Sequence, residues 1–308
     1  MTAPHGRGLL HLAAAIDQEA APDVSAYVEL TRLAERGTFD FVTLGDTFAR
    51  PGLDAFDVLA RVAPATKRIG LVPTVTTPHT EPFHVQAAHV QAAVATLDRV
   101  SHGRAGWCID VSTGRFVDRD KPHHVDFEGG PFSVRGPSTV PRPEQGHPVR
   151  VVDATDRHAR ATAARYADVA LVRGANPAQV GAVRAELHAS ALAHGRDPDE
   201  LRVLAALTVD LGDGERAAER GHGGGGPRQT AQGPLYRGGP VDLAELIARW
   251  HETGAADGFH LIPVEPRRDL ERLVNGTIAL LQHRGLFRTF YPGGTLREHL
   301  GLARPARL

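Results

Sequence analysis

The stretch Asp98–Gly114 decides how the rest of the chain is interpreted; it reads Asp-Arg-Val-Ser-His-Gly-Arg-Ala-Gly-Trp-Cys-Ile-Asp-Val-Ser-Thr-Gly. It joins an Ala-rich helix, predicted over His84–Val100, to a buried strand predicted over Arg104–Ser112. Side chains alternate between the two faces of a strand. One face of this strand therefore carries, in order, Cys108, Asp110 and Ser112. What these three side chains face is the functional question that the stretch poses.

The same alternation of strand and helix extends in both directions from this stretch. Eight short apolar segments predict strands: Leu9–Asp17, Phe39–Asp46, Ile69–Thr76, Arg104–Ser112, Val149–Asp153, Val169–Val172, Leu201–Leu211 and Gly258–Ile262. Seven segments predict helices: Asp23–Arg36, Asp54–Ala63, His84–Val100, His158–Tyr166, Pro177–His194, Asp242–Thr253 and Leu270–Arg284. This order predicts an α/β fold, a parallel (β/α)8 TIM barrel with one helix missing after strand four. An open doubly wound sheet is the alternative, but no strand is followed by a Gly-x-Gly-x-x-Gly turn.

Three segments depart from this rhythm. Residues 113–148 are rich in Gly and Pro and are predicted to be irregular, with a hairpin over Val125–Val134. Residues 215–239, which include Gly223–Gly226, predict a mobile surface loop, and residues 285–308 predict a polar, irregular tail. We expect a single domain over residues 1–308.

Composition excludes several classes of partner. With 35 basic and 36 acidic residues the formal charge is −1, so neither nucleic acid nor a membrane surface is expected as a partner. No apolar run approaches the roughly 20 residues of a membrane span. The single cysteine, Cys108, excludes an internal disulfide and fits a reducing, cytoplasmic location. A small-molecule substrate is the expected partner.

Several motifs, in the right order, resemble the luciferase-like flavin monooxygenase superfamily. Two of them are Leu71-Val-Pro-Thr-Val-Thr-Thr-Pro-His-Thr-Glu-Pro-Phe-His84 and Leu97-Asp-Arg-Val-Ser-His-Gly-Arg-Ala-Gly-Trp107. Further matching segments are Leu33–Asp40, Gly114–Lys121, Gly254–Phe259, Arg284–Tyr291 and Thr295–Leu300. The chain is most similar to the nitrilotriacetate and dibenzothiophene-sulfone monooxygenase branch, shortened after strand four. The resemblance implies a luciferase-like barrel that binds reduced FMN at its C-terminal mouth. It also implies oxidation of a small organic substrate with O2, a separate flavin reductase, and a homodimer or a heterodimer with a related barrel.

The resemblance assigns some residues to the flavin ring. Asp46 stands where the family has an Asp near the flavin, and Thr74 and Thr76 stand at positions that hydrogen-bond the ring system. Ser112 is retained as well. Cys108 stands where the family usually has Asn, and a thiol hydrogen-bonds weakly. These five residues are therefore the expected contacts of the flavin ring, and Cys108 is the one whose residue type differs from that of the family.

The resemblance also assigns a phosphate site after strand five. The family typically has a Gln-Ala-Gly-x-Ser turn there, whose Ser and following amides cradle the phosphate. Here the aligned residues are Val152-Asp153-Ala154-Thr155-Asp156. Asp156 replaces the serine and repels a phosphate unless a cation or proton intervenes, whereas Thr155 supplies a hydroxyl only from a shifted position.

Two questions stay open at this point. Aspartates at the strand ends either cap loops and helices or form an acidic mouth suited to a cationic ligand or a divalent metal: Asp17, Asp46, Asp110, Asp153 and Asp210. The candidate catalytic residues are Asp46, Asp110 and His84, although a histidine at a helix start more often packs or caps. No specific metal ligand set is predicted. The second functional hypothesis is a flavin-free barrel that serves as a non-catalytic partner subunit or binds another small ligand.

Overall fold

The chain folds into a closed parallel barrel. The computed structural model describes residues 8–18, 23–45, 53–76, 83–110, 127–128, 133–134, 143–212 and 226–305. The barrel strands are β1 His11–Ala15, β2 Phe41–Leu44, β3 Gly70–Thr76, β4 Gly106–Asp110, β5 Val149–Asp153, β6 Val169–Arg173, β7 Arg202–Asp210 and β8 Gly258–Pro263. Each strand pairs in parallel with its neighbours in chain order, and β8 pairs with β1, which closes the ring. The predicted (β/α)8 barrel is confirmed.

Helices cover the outside of the barrel. They are α1 Val24–Arg36, α2 Ala55–Val62, α3 Phe83–Val100, α4 Arg157–Tyr166, α5 Pro177–Ala193, α6 Pro240–Thr253, α7 Pro266–Arg272, α8 Ala279–His283 and α9 Leu296–His299. A π-helical segment, Leu273–Ile278, joins α7 to α8. Aspartates begin three of the helices, because the side chains of Asp23, Asp54 and Asp156 each accept a hydrogen bond from a first-turn amide. Within the described ranges, no helix is long and apolar enough to cross a membrane.

The connection from β4 to β5 differs from the other connections. In its described parts, residues 127–128, 133–134 and 143–148, there is no helix. Phe127–Glu128 and Ser133–Val134 pair as antiparallel strands, as expected for the two arms of the predicted hairpin. The other residues of the connection lie outside the described part of the chain.

The side chains of the barrel strands divide between two apolar clusters. The inner cluster consists of Ala13, Phe41, Val72, Cys108, Val149, Val151, Val169, Leu171, Leu204, Ala206, Leu296, Leu300 and Leu302. The alternate strand residues, such as Leu12, Val42 and Val152, pack outward against the helices. Cys108 therefore faces the barrel interior, which answers the question posed by the sequence for the first residue of that face. Gly258 begins β8 where a Cβ atom would lie 1.8 Å from the His11 carbonyl oxygen, so no larger residue fits there.

The Gly-rich segment is partly ordered, contrary to the sequence prediction. Within residues 215–239, Arg228–Thr230 and Gly233–Arg237 form a hairpin. Its second strand pairs in parallel with Thr208–Asp210 of β7. The prediction of a loop was wrong here because β7 extends beyond β6, and its last residues offer backbone donors and acceptors that the hairpin satisfies. Residues 213–225 lie outside the described part.

The C-terminal tail is not simply polar and irregular, which corrects a second prediction. Thr295 and Glu298 form a capping box that begins α9. Leu296, Leu300 and Leu302 belong to the inner cluster of the barrel. An added Cβ atom on Gly70, at the start of β3, would lie 2.6 Å from Leu296 Cδ1. The tail therefore closes the N-terminal end of the barrel, which we call the bottom.

Two charged residues of the Asp98–Gly114 stretch, Asp98 and Arg104, also lie at the bottom. Asp98 is fully buried and accepts hydrogen bonds from the amides of Ala105 (3.2 Å) and Glu144 (3.1 Å). Arg104 is buried and donates to the carbonyl oxygens of Ala63 and Ile69, both at 2.8 Å. These bonds tie the end of α3 and the start of β4 to neighbouring loops, so this part of the stretch is structural.

Candidate active site at the barrel mouth

The inward side chains nearest the C-terminal mouth are mostly polar. Five of them lie two residues beyond an inner-cluster residue: Thr43, Thr74, Asp153, Arg173 and Thr208. Ala15 is an apolar member of the same level, and His260 pairs in register with Ala13 and Ala206 of the inner cluster. In barrels of this kind, chemistry is carried out at the C-terminal ends of the strands. The layer is therefore the candidate active site.

Thr74 and Cys108 form one wall of this site. They pair in register between β3 and β4, and Cys108 also pairs with Val151 of β5. Thr74 is half-buried and Cys108 is buried. One step further along, Thr76 pairs with Asp110; only the backbone of these two residues is described.

Asp46, Ser112 and His84 are three further residues that the sequence predicts for this site. Asp46 and Ser112 lie outside the described residues, and His84 is described only as part of α3. Their assignment stays a prediction.

On the opposite side of Cys108, the end of β5 carries a closed hydrogen-bond network. Asp153 accepts hydrogen bonds from the amide of Thr155 (3.0 Å) and from its hydroxyl. Arg173, the last residue of β6, donates to the other carboxylate oxygen of Asp153 at 3.0 Å. Asp153 and Thr155 thus bind each other, and their predicted contact with a phosphate stays a prediction.

Asp156 caps the next helix. Its carboxylate accepts a hydrogen bond from the Ala159 amide at 2.7 Å and begins α4. A helix N-terminus attracts an anion through free amides and its positive dipole end. Here a carboxylate already occupies that position, and the Thr155 amide is bonded to Asp153. The described turn therefore does not fit a flavin phosphate in the way that the resemblance implies.

Two of the five rim aspartates are paired with arginines in the described part of the chain. Asp153 is paired with Arg173, and Asp210 is paired with Arg237 and Arg268, each at 2.8 Å. These two aspartates are neutralised because β6, the hairpin and α7 bring arginines beside them. Among the described residues, no group of three or more His, Cys, Asp or Glu side chains is placed to hold a metal ion. The rim therefore does not support the cation-binding alternative in its described part.

His260 and Thr43 form a buried pair in the interior. The Thr43 Oγ1 atom lies 2.8 Å from His260 Nε2. The other ring nitrogen, Nδ1, is buried and has no hydrogen-bond partner within the described part of the chain. Burial, together with the charge of Arg173, lowers the pKa of His260 to about 4, so the ring is neutral near pH 7.

Sequence reasoning missed Arg173, His260 and Thr43. Strand six was predicted to end at Val172, one residue before Arg173. The period of two along strands could have found all three, because each continues an inward face whose other members are apolar or glycine.

Comparison with known protein families supports the motif-based resemblance. A family profile described as luciferase-like monooxygenase matches residues 8–119 and 114–239. The two matched parts meet at residues 114–119, directly after β4. This is the place where the sequence predicts a shortened segment.

Individual relatives agree with this match. The chain is 26% identical to nitrilotriacetate monooxygenase component A of Aminobacter aminovorans, over 92% of this chain and 91% of that protein. It is 24% identical to dibenzothiophene-sulfone monooxygenase of Rhodococcus erythropolis, over 91% and 90% respectively. EDTA monooxygenase from Chelativorans sp. BNC1 superimposes with a TM-score of 0.78 at 20% identity, covering 96% of this chain and 99% of that chain.

The first alignment runs over 418 positions, which exceeds the 308 residues of this chain. The relative therefore carries segments that this chain lacks. The predicted family, its branch and the barrel fold are confirmed, and the chain belongs to the luciferase-like monooxygenase family.

Proposed function

We propose that this chain is a reduced-flavin-dependent monooxygenase that oxidises a small organic substrate with O2. The observation that carries the proposal is the polar inward layer at the mouth of a barrel that belongs to the luciferase-like family. In this proposal the mouth holds the flavin ring against Thr74, Thr76 and Cys108, and the substrate lies beside it. Asp46, Asp110 and Ser112 complete the ring site, and His84 borders it, as the resemblance implies.

In this proposal the turn after β5 does not hold the phosphate of FMN. Asp156 and Asp153 occupy the amide donors of the turn after β5, and the Asp156 carboxylate repels a phosphate dianion. FMN binding is therefore proposed to rest on the ring and not on this turn. A flavin without a phosphate, riboflavin, is expected to bind more tightly than FMN, because it lacks the repelled group.

The proposal includes a partner protein. Reduced flavin comes from a separate flavin reductase, and the barrel assembles as a homodimer or a heterodimer with a related barrel. The role of this chain's own residues is to orient the bound molecules and to keep water from them.

A flavin titration of the purified chain tests the proposal. Oxidised FMN and riboflavin are followed by flavin fluorescence, and the reduced forms by thermal melting under anaerobic conditions. A ligand at 100 times its Kd stabilises a folded protein by about 2.7 kcal/mol, so an upward shift of Tm is expected with either flavin. No shift and no change in fluorescence with any of the four ligands would contradict flavin dependence.

A charge variant tests the role of Asp156. Asp156→Ser keeps a side chain that caps helices but removes the negative charge. We expect FMN affinity to rise by about tenfold while riboflavin affinity stays unchanged. The matched control is Asp197→Ser, because Asp197 also caps a short helix but lies at the α5–β7 connection, on the bottom side. An equal response of FMN and riboflavin to Asp156→Ser would contradict the phosphate interpretation.

A second function is favoured by one specific observation. The carboxylates at the phosphate position suit a barrel that has lost flavin binding and serves as a non-catalytic partner of a related barrel. The same titration separates the two functions, since such a subunit binds neither FMN nor riboflavin.

A further inference from the structure

His260 is a buried polar residue whose hydrogen bonding is incomplete. It lies on β8, and its register partners on both neighbouring strands are alanines, Ala13 and Ala206. Its side chain is on the inward face, since it reaches Thr43 across β1. The residue is only 6% exposed. Because both partners are alanines, the imidazole is the largest side chain among these three residues in register.

The orientation of the ring is fixed from one side only. Thr43 Oγ1, at 2.8 Å from Nε2, holds one edge of the imidazole. Nδ1, on the other edge, has no hydrogen-bond partner among the residues described. Buried polar atoms in folded proteins are nearly always hydrogen-bonded. A nitrogen that is held in place and left without a partner is therefore suited to a partner that the chain itself does not supply.

The charge state of the ring limits what that partner can be. Burial and the nearby Arg173 lower the pKa of His260 to about 4, so the imidazole is neutral in the physiological range. A neutral imidazole offers one N–H donor and one lone pair. Its complement is an uncharged heteroatom of a ligand, a carbonyl oxygen or a ring nitrogen.

The position of His260 points to the flavin ring as that ligand. In a closed ring of eight strands, β8 lies opposite β4. A flat ring bound against Thr74 and Cys108 on β3 and β4 would therefore have β8 on its far side. The isoalloxazine ring carries carbonyl oxygens and ring nitrogens along its edge. We propose that His260 Nδ1 hydrogen-bonds the ring system of the bound flavin, with Thr43 as the positioning residue that holds the imidazole. This inference rests on the proposed flavin dependence.

Two substitutions at position 260 test the contact. His260→Leu removes both nitrogens, whereas His260→Asn keeps one donor and one acceptor. Loss of one neutral hydrogen bond corresponds to about a fivefold to tenfold weaker affinity. We expect His260→Leu to weaken riboflavin and FMN by the same factor of this size and to shift the visible absorption of the bound flavin. His260→Asn is expected to retain affinity to within about threefold.

An equal response of riboflavin and FMN excludes the phosphate as the contacted part, and the shift in visible absorption assigns the contact to the ring system. Unchanged affinity and an unchanged spectrum in His260→Leu, with flavin binding intact in the wild type, would overturn the contact but leave the proposed function standing. Absence of flavin binding in the wild type would overturn both.

A measurement on the wild-type chain keeps the inference testable if His260→Leu does not fold. With 15N-labelled histidine, the NMR signals of the His260 ring nitrogens are assigned by their loss in His260→Asn. The Nδ1 signal is expected to shift when riboflavin is added and to respond to FMN in the same way. An Nδ1 signal that does not move when flavin binds would overturn the contact. Thr43→Val tests the positioning role, because it removes the hydroxyl that holds Nε2. We expect a smaller loss of affinity for both flavins than in His260→Leu. Thr43→Ser keeps a hydroxyl and is expected to retain the wild-type affinity.

Discussion

The two ends of the barrel carry their charges in opposite ways. At the bottom, Asp40 is fully buried and accepts hydrogen bonds from Arg288 Nη1 and from the Leu12 amide, both at 2.7 Å. Asp168, also buried, is paired with Arg150 and Arg297. At the mouth, by contrast, the side chains of Asp153 and Arg173 are 33% and 39% exposed. The bottom uses charge to hold the tail and the strands together, whereas the mouth keeps polar groups accessible.

The difference teaches where stability and binding are located in this chain. A buried charge needs its partner because water cannot replace it, whereas an exposed charge loses little when its partner is removed. Barrel enzymes often divide these roles between the two ends. Substitutions at the bottom should therefore affect folding, and substitutions at the mouth should affect ligands.

The largest expected effect is that of Asp40→Ala. The substitution leaves the Arg288 guanidinium and the Leu12 amide buried without their acceptor, so we expect a loss of about 3–5 kcal/mol in the free energy of unfolding. Urea denaturation measures it. The control is Glu29→Ala, which removes a pair between largely exposed side chains and should change the free energy by less than about 1 kcal/mol. Equal effects of the two substitutions would remove the contrast between buried and exposed charges.

The next effect concerns the tail. Leu296 is fully buried in the inner cluster, and Leu296→Ala leaves a cavity between the tail and the starts of β3 and β4. The expected loss is about 2–5 kcal/mol, measured by urea or thermal unfolding. Leu192→Ala is the matched control, because Leu192 is 66% exposed and should change stability by about 0.5 kcal/mol or less. If the tail did not contribute to the core, Leu296→Ala would lower the free energy of unfolding as little as Leu192→Ala.

Acid should weaken the fold in two steps. Burial lowers the pKa of His299 to about 4, as it does for His260, whereas an unfolded histidine titrates near 6.5. The unfolded chain therefore binds protons first as pH falls, so the stability that is complete above about pH 6.5 declines towards pH 4, by about 3 kcal/mol for each histidine. Burial acts to raise the pKa of Asp40, but Arg288 and His11 outweigh it and hold that pKa at about 2. Its contribution is lost in turn between about pH 3.8 and pH 2.

Denaturation curves between pH 4 and 8 measure the first of these steps. His299→Gln is expected to flatten the dependence between pH 6.5 and 4 because glutamine does not titrate. If the free energy of unfolding changed equally with pH in the wild type and in His299→Gln, the assignment to His299 would be contradicted.

The smallest expected effect is that of Asp153→Asn at the mouth. The carboxylate and its partner Arg173 are partly exposed, so the free energy of unfolding should change by about 1 kcal/mol or less. Denaturation under the conditions used for Asp40→Ala gives the comparison directly. A loss as large as that of Asp40→Ala would mean that the mouth, too, is held together by its charges.

The sequence alone predicted the barrel because its signals are local. Apolar periodicity, capping aspartates and glycine stops act within a few residues of one another, and Asp98–Gly114 contains such signals side by side. His102 and Gly103, for example, both adopt positive φ angles, 56° and 80°, where α3 ends. The alternation of faces along β4 was equally readable, and it placed Cys108 on the side that proved to be the interior.

The sequence by itself thus determined the order of strands and helices, the family and the inward faces. Only the tertiary structure decided which polar side chains meet. Thr43 and His260 are 217 residues apart in the chain, and Asp40 and Arg288 are 248 apart. Closure of the barrel and docking of the tail bring these partners together, and no local pattern encodes a pairing over such a separation. The same reason explains why Asp153 and Asp210, which the sequence suggested as parts of an acidic mouth, are paired with arginines from β6, from the hairpin and from α7.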